Sequence, residues 1–424
     1  MWLRKRVAFG VIYGLVLAAV TLAGIEVLAS FYAPSWPARA LRATGPVNPV
    51  SAAVEPFKDQ PWLATPFNSW GMRDSERTVA KPANTFRAVF VGDSFVESPL
   101  TPLSLPAAVA RRLPEGGRNV EAIDLGISAT SPRSYYYRTR DVALKLSPDA
   151  LLLFIYAGND FVLADQGYSA SSLPPLVDES PGSSLVGTLM PRTSWLAVNR
   201  LRLAESLMNK DPPPAEETVL YDAVHAPPAE RLPRLVAHIK KYYFPQHSDA
   251  EIGEILSRGG GRFWRELGSP EGEREFLLGW TLANLLSWET GTFGVAASVQ
   301  DARRLTSDGE VQATLSWIAA TDRLAREKGV PLRIFLAPVG TLDPDYVEFW
   351  KPWPRAYSFN YVGEDREIRL AAALGATGIR FVDLREDLAG IAGTYRKRDG
   401  HWTQKGEAIV ADRVARELLL LMKQ

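Results

Sequence analysis

Phe86-Arg-Ala-Val-Phe-Val-Gly-Asp-Ser-Phe-Val-Glu97 is the stretch on which the reading of this chain turns. An apolar, β-rich run stops at Gly92, and Asp93 and Ser94 follow before Pro and small residues, so a serine hydroxyl stands at the end of a buried strand. Open α/β sheets hold ligands at the carboxyl ends of their strands. A Gly-Asp-Ser triplet by itself is an ordinary turn. It gains weight from the far end of the chain, where Asp399-Gly-His401-Trp402-Thr-Gln-Lys-Gly406 precedes a helical run over 407–421. A serine hydroxyl needs a base to take its proton, and the base needs a partner that fixes its tautomer and steadies its positive form. His401 is one of four histidines, and His225, His238 and His247 lie in a middle region without metal-ligand spacing. His401 is therefore the best base, with Asp399 as its partner.

Working outward from Ser94, residues 105–113 read as a helix, 119–125 as a strand ending at Gly126, 132–146 as a helix with Pro132 in its first turn, and 150–156 as a near-continuous apolar strand. This alternation predicts an α/β fold, a doubly wound and mostly parallel sheet. The pattern lapses over 161–309, where Pro212-Pro-Pro214, Pro227-Pro228 and Gly259-Gly-Gly261 interrupt helix-like runs at 262–267 and 275–288. A large, mostly helical insertion is expected there, placed to cap the site. The rhythm returns with a helix over 311–328 stopped by Gly329, a strand over 332–337, an aromatic loop over 338–361, a helix over 364–374 and a last strand over 379–384. Trp350 and Trp353 in the aromatic loop either stack on sugar faces and line an acyl pocket or pack beneath the insertion. Asp383 is a rival orienting carboxylate, Glu97 reads as a solvated first-turn acid, Asp93 and Asp160 as structural, and Thr403 as the N-cap of the closing helix.

Zero formal net charge in 424 residues leaves no sequence-wide field for nucleic acid or an anionic membrane, and the absence of cysteine excludes disulfides, thiolate zinc sites and a cysteine nucleophile. One histidine beside one carboxylate falls short of a metal-ligand set, and no cofactor is expected. Arg4-Lys5-Arg6 precedes a charge-free run from Val7 to Ile25, and apolar character resumes past Glu26 to Tyr32. That length suits an uncleaved single-pass anchor over 7–32 better than a cleaved signal, whose apolar core is about 7 to 15 residues. The basic cluster keeps residues 1–6 in the cytoplasm and sends the rest outside, periplasmic where there are two membranes. Residues 33–66, rich in Pro, Ala and Val, form a linker, and Phe67-Asn-Ser-Trp-Gly-Met-Arg73 packs beside the site or is a plain surface turn.

Gly92-Asp93-Ser94-Phe95, Gly126 in Asp-Leu-Gly-Ile-Ser, Gly158-Asn159-Asp160 and Asp399/His401, in this order, resemble the four blocks of the SGNH (GDSL-type) hydrolase superfamily over residues 67–160 and 310–424. The resemblance implies a three-layer, flavodoxin-like domain with Ser94 as nucleophile and Asp399 and His401 completing the triad. It also implies an oxyanion hole from the Ser94 N–H, the Gly126 N–H and the Asn159 side chain. Two departures are visible: Ala157 stands where many members have Gly, and Asp399 precedes His401 by two residues rather than three. The Asp-x-His-Trp form, with Trp402 a further candidate contact, is similar to that of bacterial polysaccharide O-acetyltransferases and acetylesterases. The implied activity is a serine-dependent ester hydrolase or O-acyl transferase acting on O-acylated polysaccharide. A catalytically silent, membrane-tethered glycan-binding or assembly protein on the same fold is the alternative, and any membrane-bound biosynthetic partner is left open.

Overall fold

The computed structural model describes residues 2–31, 36–42, 44, 65, 67–114, 119–161, 190, 193, 216–269, 278–291, 296–398 and 400–423. The chain forms two compact units, Met1–Ala43 with Leu173–Pro213 and Thr44–Ser172 with Pro214–Gln424. In the first unit, helix α1 (Trp2–Ser30) contains a stretch, Ile12–Ala29, long and apolar enough to cross a membrane by length and composition. Its one carboxylate, Glu26, accepts hydrogen bonds from the Thr193 N–H (3.0 Å) and hydroxyl (2.8 Å).

The second unit is built on five parallel strands. In chain order its elements are β1 (Thr85–Gly92), α2 (Ser94–Glu97), α3 (Leu105–Ala110), β2 (Asn119–Gly126), α4 (Pro132–Asp141) and β3 (Ala150–Tyr156). Five helices follow: α5 (Glu216–His225), α6 (Pro228–Tyr242), α7 (Asp249–Ser257), α8 (Gly260–Leu267) and α9 (Leu278–Glu289). Then come α10 (Asp308–Glu327), β4 (Leu332–Ala337), α11 (Pro344–Trp350), α12 (Pro354–Thr377), β5 (Phe381–Asp383) and α13 (Gln404–Leu421). The sheet order is β2-β1-β3-β4-β5, with every pairing parallel. The expected α/β class is what forms.

β1 is buried at every position and β3 at all but its last, which is why both read as unbroken apolar runs. Side chains alternate between the faces of the sheet. Phe86, Ala88 and Phe90 share a hydrophobic cluster with Ala108 and Val109 of α3 and Val410 and Val414 of α13. On the opposite face, Tyr137 of α4 meets the Trp317 ring of α10. Phe90, Phe154 and Phe335 stack in a row across β1, β3 and β4, with centroids 6.2 and 4.7 Å apart. The strand order changes direction between β1 and β3, so the crevice beyond their carboxyl ends is the topological switch point. Gly92, at the end of β1, delivers Asp93 and Ser94 to that crevice.

One sequence expectation needs correction. Residues 338–361 are not an aromatic loop but carry α11 and the start of α12, because Pro344 and Pro354 open helices rather than break them. Asp343 caps α11 by accepting from the Asp345 N–H (2.8 Å). Helices α5 to α9 contribute Leu220, Leu235, Ile252, Phe263 and Leu285 to the cluster that contains the sheet's Phe90 and Phe154.

Phe154 is 1% exposed and stacked on both sides, so Phe154→Ala opens a cavity between β1 and β4. Chemical denaturation should show a loss of about 3–5 kcal/mol.

Candidate active site

Asp93 ends the turn after β1 and accepts the Phe95 N–H through Oδ1 (2.9 Å), acting as the N-cap of α2. Ser94 is therefore the first helical residue, and a backbone N–H in that position has no intrahelical acceptor. His401 is carried by a hairpin-like loop between Thr394 and Thr403. Arg396 N–H donates to the His401 carbonyl (2.7 Å), Thr403 N–H to the Thr394 carbonyl (2.9 Å), and Tyr395 bridges Trp402. The Asp343 carboxylate anchors the base of this loop by accepting the Gly393, Thr394 and Tyr395 N–H groups at 3.1, 2.7 and 2.9 Å. Across 307 positions of sequence, His401 Nε2 stands 2.7 Å from Ser94 Oγ. For Nε2 to accept the serine proton, the imidazole must carry its own proton on Nδ1. Asp399 lies outside the described residues.

Phe95, next to Ser94, is a stacking platform. Its ring lies under His401 (5.0 Å between centroids, 25° between planes), meets Trp402 edge-on and packs on Tyr156 at 4.0 Å. The imidazole is thus fixed by an apolar surface as well as by its hydrogen bond. Among the described residues, a recess opens beside Ser94, lined by Phe95, Pro99, Leu100, Trp402 and the polar Thr101 and Glu407.

No family model matches the chain, and no curated protein matches it. The site is therefore read from its own geometry.

Asn159 follows β3 in a turn facing the same carboxyl end of the sheet, half-buried, with its Oδ1 shielded and unbonded. Burial pushes the Asp93 carboxyl up, against the Phe95 N–H, the His401 ring and the Asn159 amide, which all favour its charged form. Asp93 Oδ2 makes no hydrogen bond of good geometry. Asp160 fixes the turn by accepting the Tyr156 N–H and the Tyr135 hydroxyl, each at 2.7 Å. Arg366 donates to the Gly158 carbonyl at 3.2 Å from α12.

Gly126 departs from expectation. Its N–H is given to Asp124 Oδ1 at 2.7 Å, so it is not directed at an oxyanion. Gly126 is needed for space, because a Cβ there would stand 2.5 Å from the Glu97 N and 2.8 Å from Val96 Cβ of α2. Trp350 and Trp353 are likewise core residues, 2% and 0% exposed. Trp353 Nε1 donates to the Ile255 carbonyl (2.7 Å), and both rings pack with Phe349, so neither meets substrate. Asp383 is engaged by Arg385 at 2.9 Å. Glu97 is buried rather than solvated: its Oε2 takes the Ser128 N–H (2.8 Å) and hydroxyl (2.5 Å), which ties α2 to the loop after β2.

The Asn68–Arg73 element packs beside the site. Asn68 Oδ1 accepts the Trp70 and Met72 N–H groups (3.0 and 3.1 Å), which aims Arg73 inward. Arg73 donates to the carbonyls of Glu97 (3.2 Å), Ser98 and Thr101. Ser98 needs that support, since it ends α2 with φ 51° in the left-handed region. On the other side, Arg138 donates to the Gly92 and Leu125 carbonyls at 2.8 and 2.7 Å, joining the ends of β1 and β2. Burial lowers the Arg138 guanidinium to about 10, still charged at neutral pH.

Gly126→Ala should push α2 out of place. The expected result is a loss of about 1–3 kcal/mol in denaturant titration, with slower reaction of Ser94 toward a serine-directed fluorophosphonate.

Proposed function

We propose that this chain is a serine-dependent ester hydrolase or O-acyl transferase working outside the cytoplasm. The observation that carries the reading is the 2.7 Å contact between His401 Nε2 and Ser94 Oγ at the switch point of a parallel sheet. Ser94 Oγ attacks the ester carbonyl while His401 Nε2 takes its proton, and the same proton passes to the leaving alcohol as the tetrahedral intermediate collapses to an acyl-serine. Asp399 is the carboxylate that the sequence supplies beside His401. The Ser94 N–H and the Asn159 amide are the donors for the developing oxyanion, each worth roughly 3–4 kcal/mol if aligned. Water or a sugar hydroxyl, activated by the same imidazole, then resolves the acyl-serine.

The substrate proposed is an O-acylated cell-surface or exported polysaccharide carrying a short acyl group. Its support is the resemblance of Asp399-Gly-His401-Trp402 to the acetyltransferase and acetylesterase form and the apolar helix α1 behind Arg4-Lys5-Arg6. With that helix as an anchor, the positive-inside rule puts the second unit on the outer side.

Ser94→Ala should lower turnover of p-nitrophenyl acetate by about 10³-fold or more and abolish fluorophosphonate labelling, and His401→Ala should do nearly the same. Unlabelled wild type that still binds polysaccharide would instead indicate a silent glycan-binding protein. Acyl release measured with and without glycan acceptors separates hydrolysis from transfer.

A further inference from the structure

The recess beside Ser94 has a buried carboxyl in its wall. Glu407 lies in the first turn of α13, on the face that Val410, Ala411 and Val414 turn to the core, and it is 4% exposed. Its Oε2 stands 2.5 Å from Thr101 Oγ1. Two more oxygens surround that hydroxyl: the Leu103 carbonyl at 2.8 Å and the Ser98 carbonyl at 3.1 Å. A threonine hydroxyl has one proton to give. When Glu407 is ionised, Thr101 must spend that proton on the carboxylate, and its bonds to the two carbonyls lapse. When Glu407 is protonated, the carboxyl donates to Thr101 Oγ1, and the hydroxyl proton is free for Leu103 or Ser98.

The bond joins the two segments that carry the reacting pair. Thr101 belongs to the turn that leaves the nucleophile helix through the left-handed Ser98, and Glu407 begins the helix that follows His401. Resting on the enzyme reading above, we propose that Glu407 is a positioning residue for Ser94 and His401, whose neutral form completes the chain through Thr101 to the Ser98–Leu103 turn and whose ionised form breaks it.

The charged and titratable groups around it come from several elements. Arg73 approaches from the Asn68–Arg73 element with Glu97 on its far side, Arg112 from the end of α3 with Asp412 as its partner, and His401 shares the recess. Burial is the largest influence on Glu407 and outweighs the Thr101 and Ser98 hydroxyls and both guanidiniums, so the carboxyl is pushed up to about 7. The change of state therefore falls in the working range of a histidine base.

The test is a pH series on the full chain in detergent, with wild type, Glu407→Gln and Thr101→Val. Wild-type kcat/KM for p-nitrophenyl acetate should fall about tenfold per unit above about pH 8, as each unit removes nine-tenths of the remaining protonated form. Glu407→Gln, which is always neutral, should lose that alkaline fall. Thr101→Val removes the hydroxyl through which the carboxyl acts, so it should be slowed at low pH and should lose the alkaline fall as well. Thermal midpoints read the titration without turnover. A carboxyl whose folded pKa is raised loses stability as pH climbs from its unfolded value through about 7, so wild type should drop relative to Glu407→Gln between about pH 5 and 8. Turnover whose alkaline fall is the same in wild type and Glu407→Gln overturns the positioning role alone. No turnover and no Ser94 labelling in wild type overturn the enzyme reading and this role together.

Discussion

Two desolvated guanidiniums hold the carboxyl end of this sheet in shape. Arg73 and Arg138 are each 1% exposed or less, and their hydrogen bonds go largely to main-chain carbonyls: Glu97, Ser98 and Thr101 for the first, Gly92 and Leu125 for the second. Those carbonyls belong to strand ends and helix ends, where the regular ladders run out and oxygen atoms are left without partners. A lysine would supply three donors from a point, whereas the planar fork of arginine reaches several fixed oxygens at once. Removing either cation would take donors away from these buried carbonyls. The turn that presents Ser94 is framed between these two forks.

Buried cations draw in buried carboxyls, and the site is unusually rich in them. Asp93, Glu97, Asp124, Asp160 and Glu407 are all shielded within the residues that surround Ser94. Burial pushes each of them up, while amide donors and the two guanidiniums pull most of them back toward the charged form. Asp124 and Asp160 are pushed well above the usual carboxylate range, because like charge, from Asp74 and Glu97 for the first and from Asp93 for the second, adds to their burial. Such a cluster costs stability, and its counterpart is a set of hydrogen bonds that fix α2 from three sides: Phe95 on Asp93, Ser128 on Glu97, Thr101 on Glu407. A short helix of four residues could not hold Ser94 in place by its own ladder.

Much of the fold was legible because its signal is local. The strands at 150–156 and 332–337 and the β1 run are composition written into consecutive positions, and Gly329 and Thr403 mark a helix stop and a helix start by their own backbone chemistry. The misreadings share a cause. Pro344 and Pro354 look the same in a string whether they break a chain or open a helix, and the difference lies in remote acceptors: Asp343 caps α11 and binds the His401 loop, and Glu289 of α9 accepts the Arg355 and Ala356 N–H groups at the start of α12. Residue type alone makes Glu97 a solvated acid and leaves Glu407 unremarked. Glu407 did carry a signal, since its spacing to Val410, Ala411 and Val414 puts it on the apolar face of α13.

The sequence by itself determined the parallel α/β core, the serine at the end of its first strand, the best base near the other terminus and a helix apolar enough for a bilayer, since each is a property of neighbouring residues. Only the tertiary structure decided that Ser94 and His401 meet, that the Gly126 N–H is spent on Asp124, that Trp350 and Trp353 are core, and that a carboxyl closes the recess. These are matters of which groups share a few ångströms after the chain has folded. Residues hundreds of positions apart settle them, and no local pattern encodes that distance.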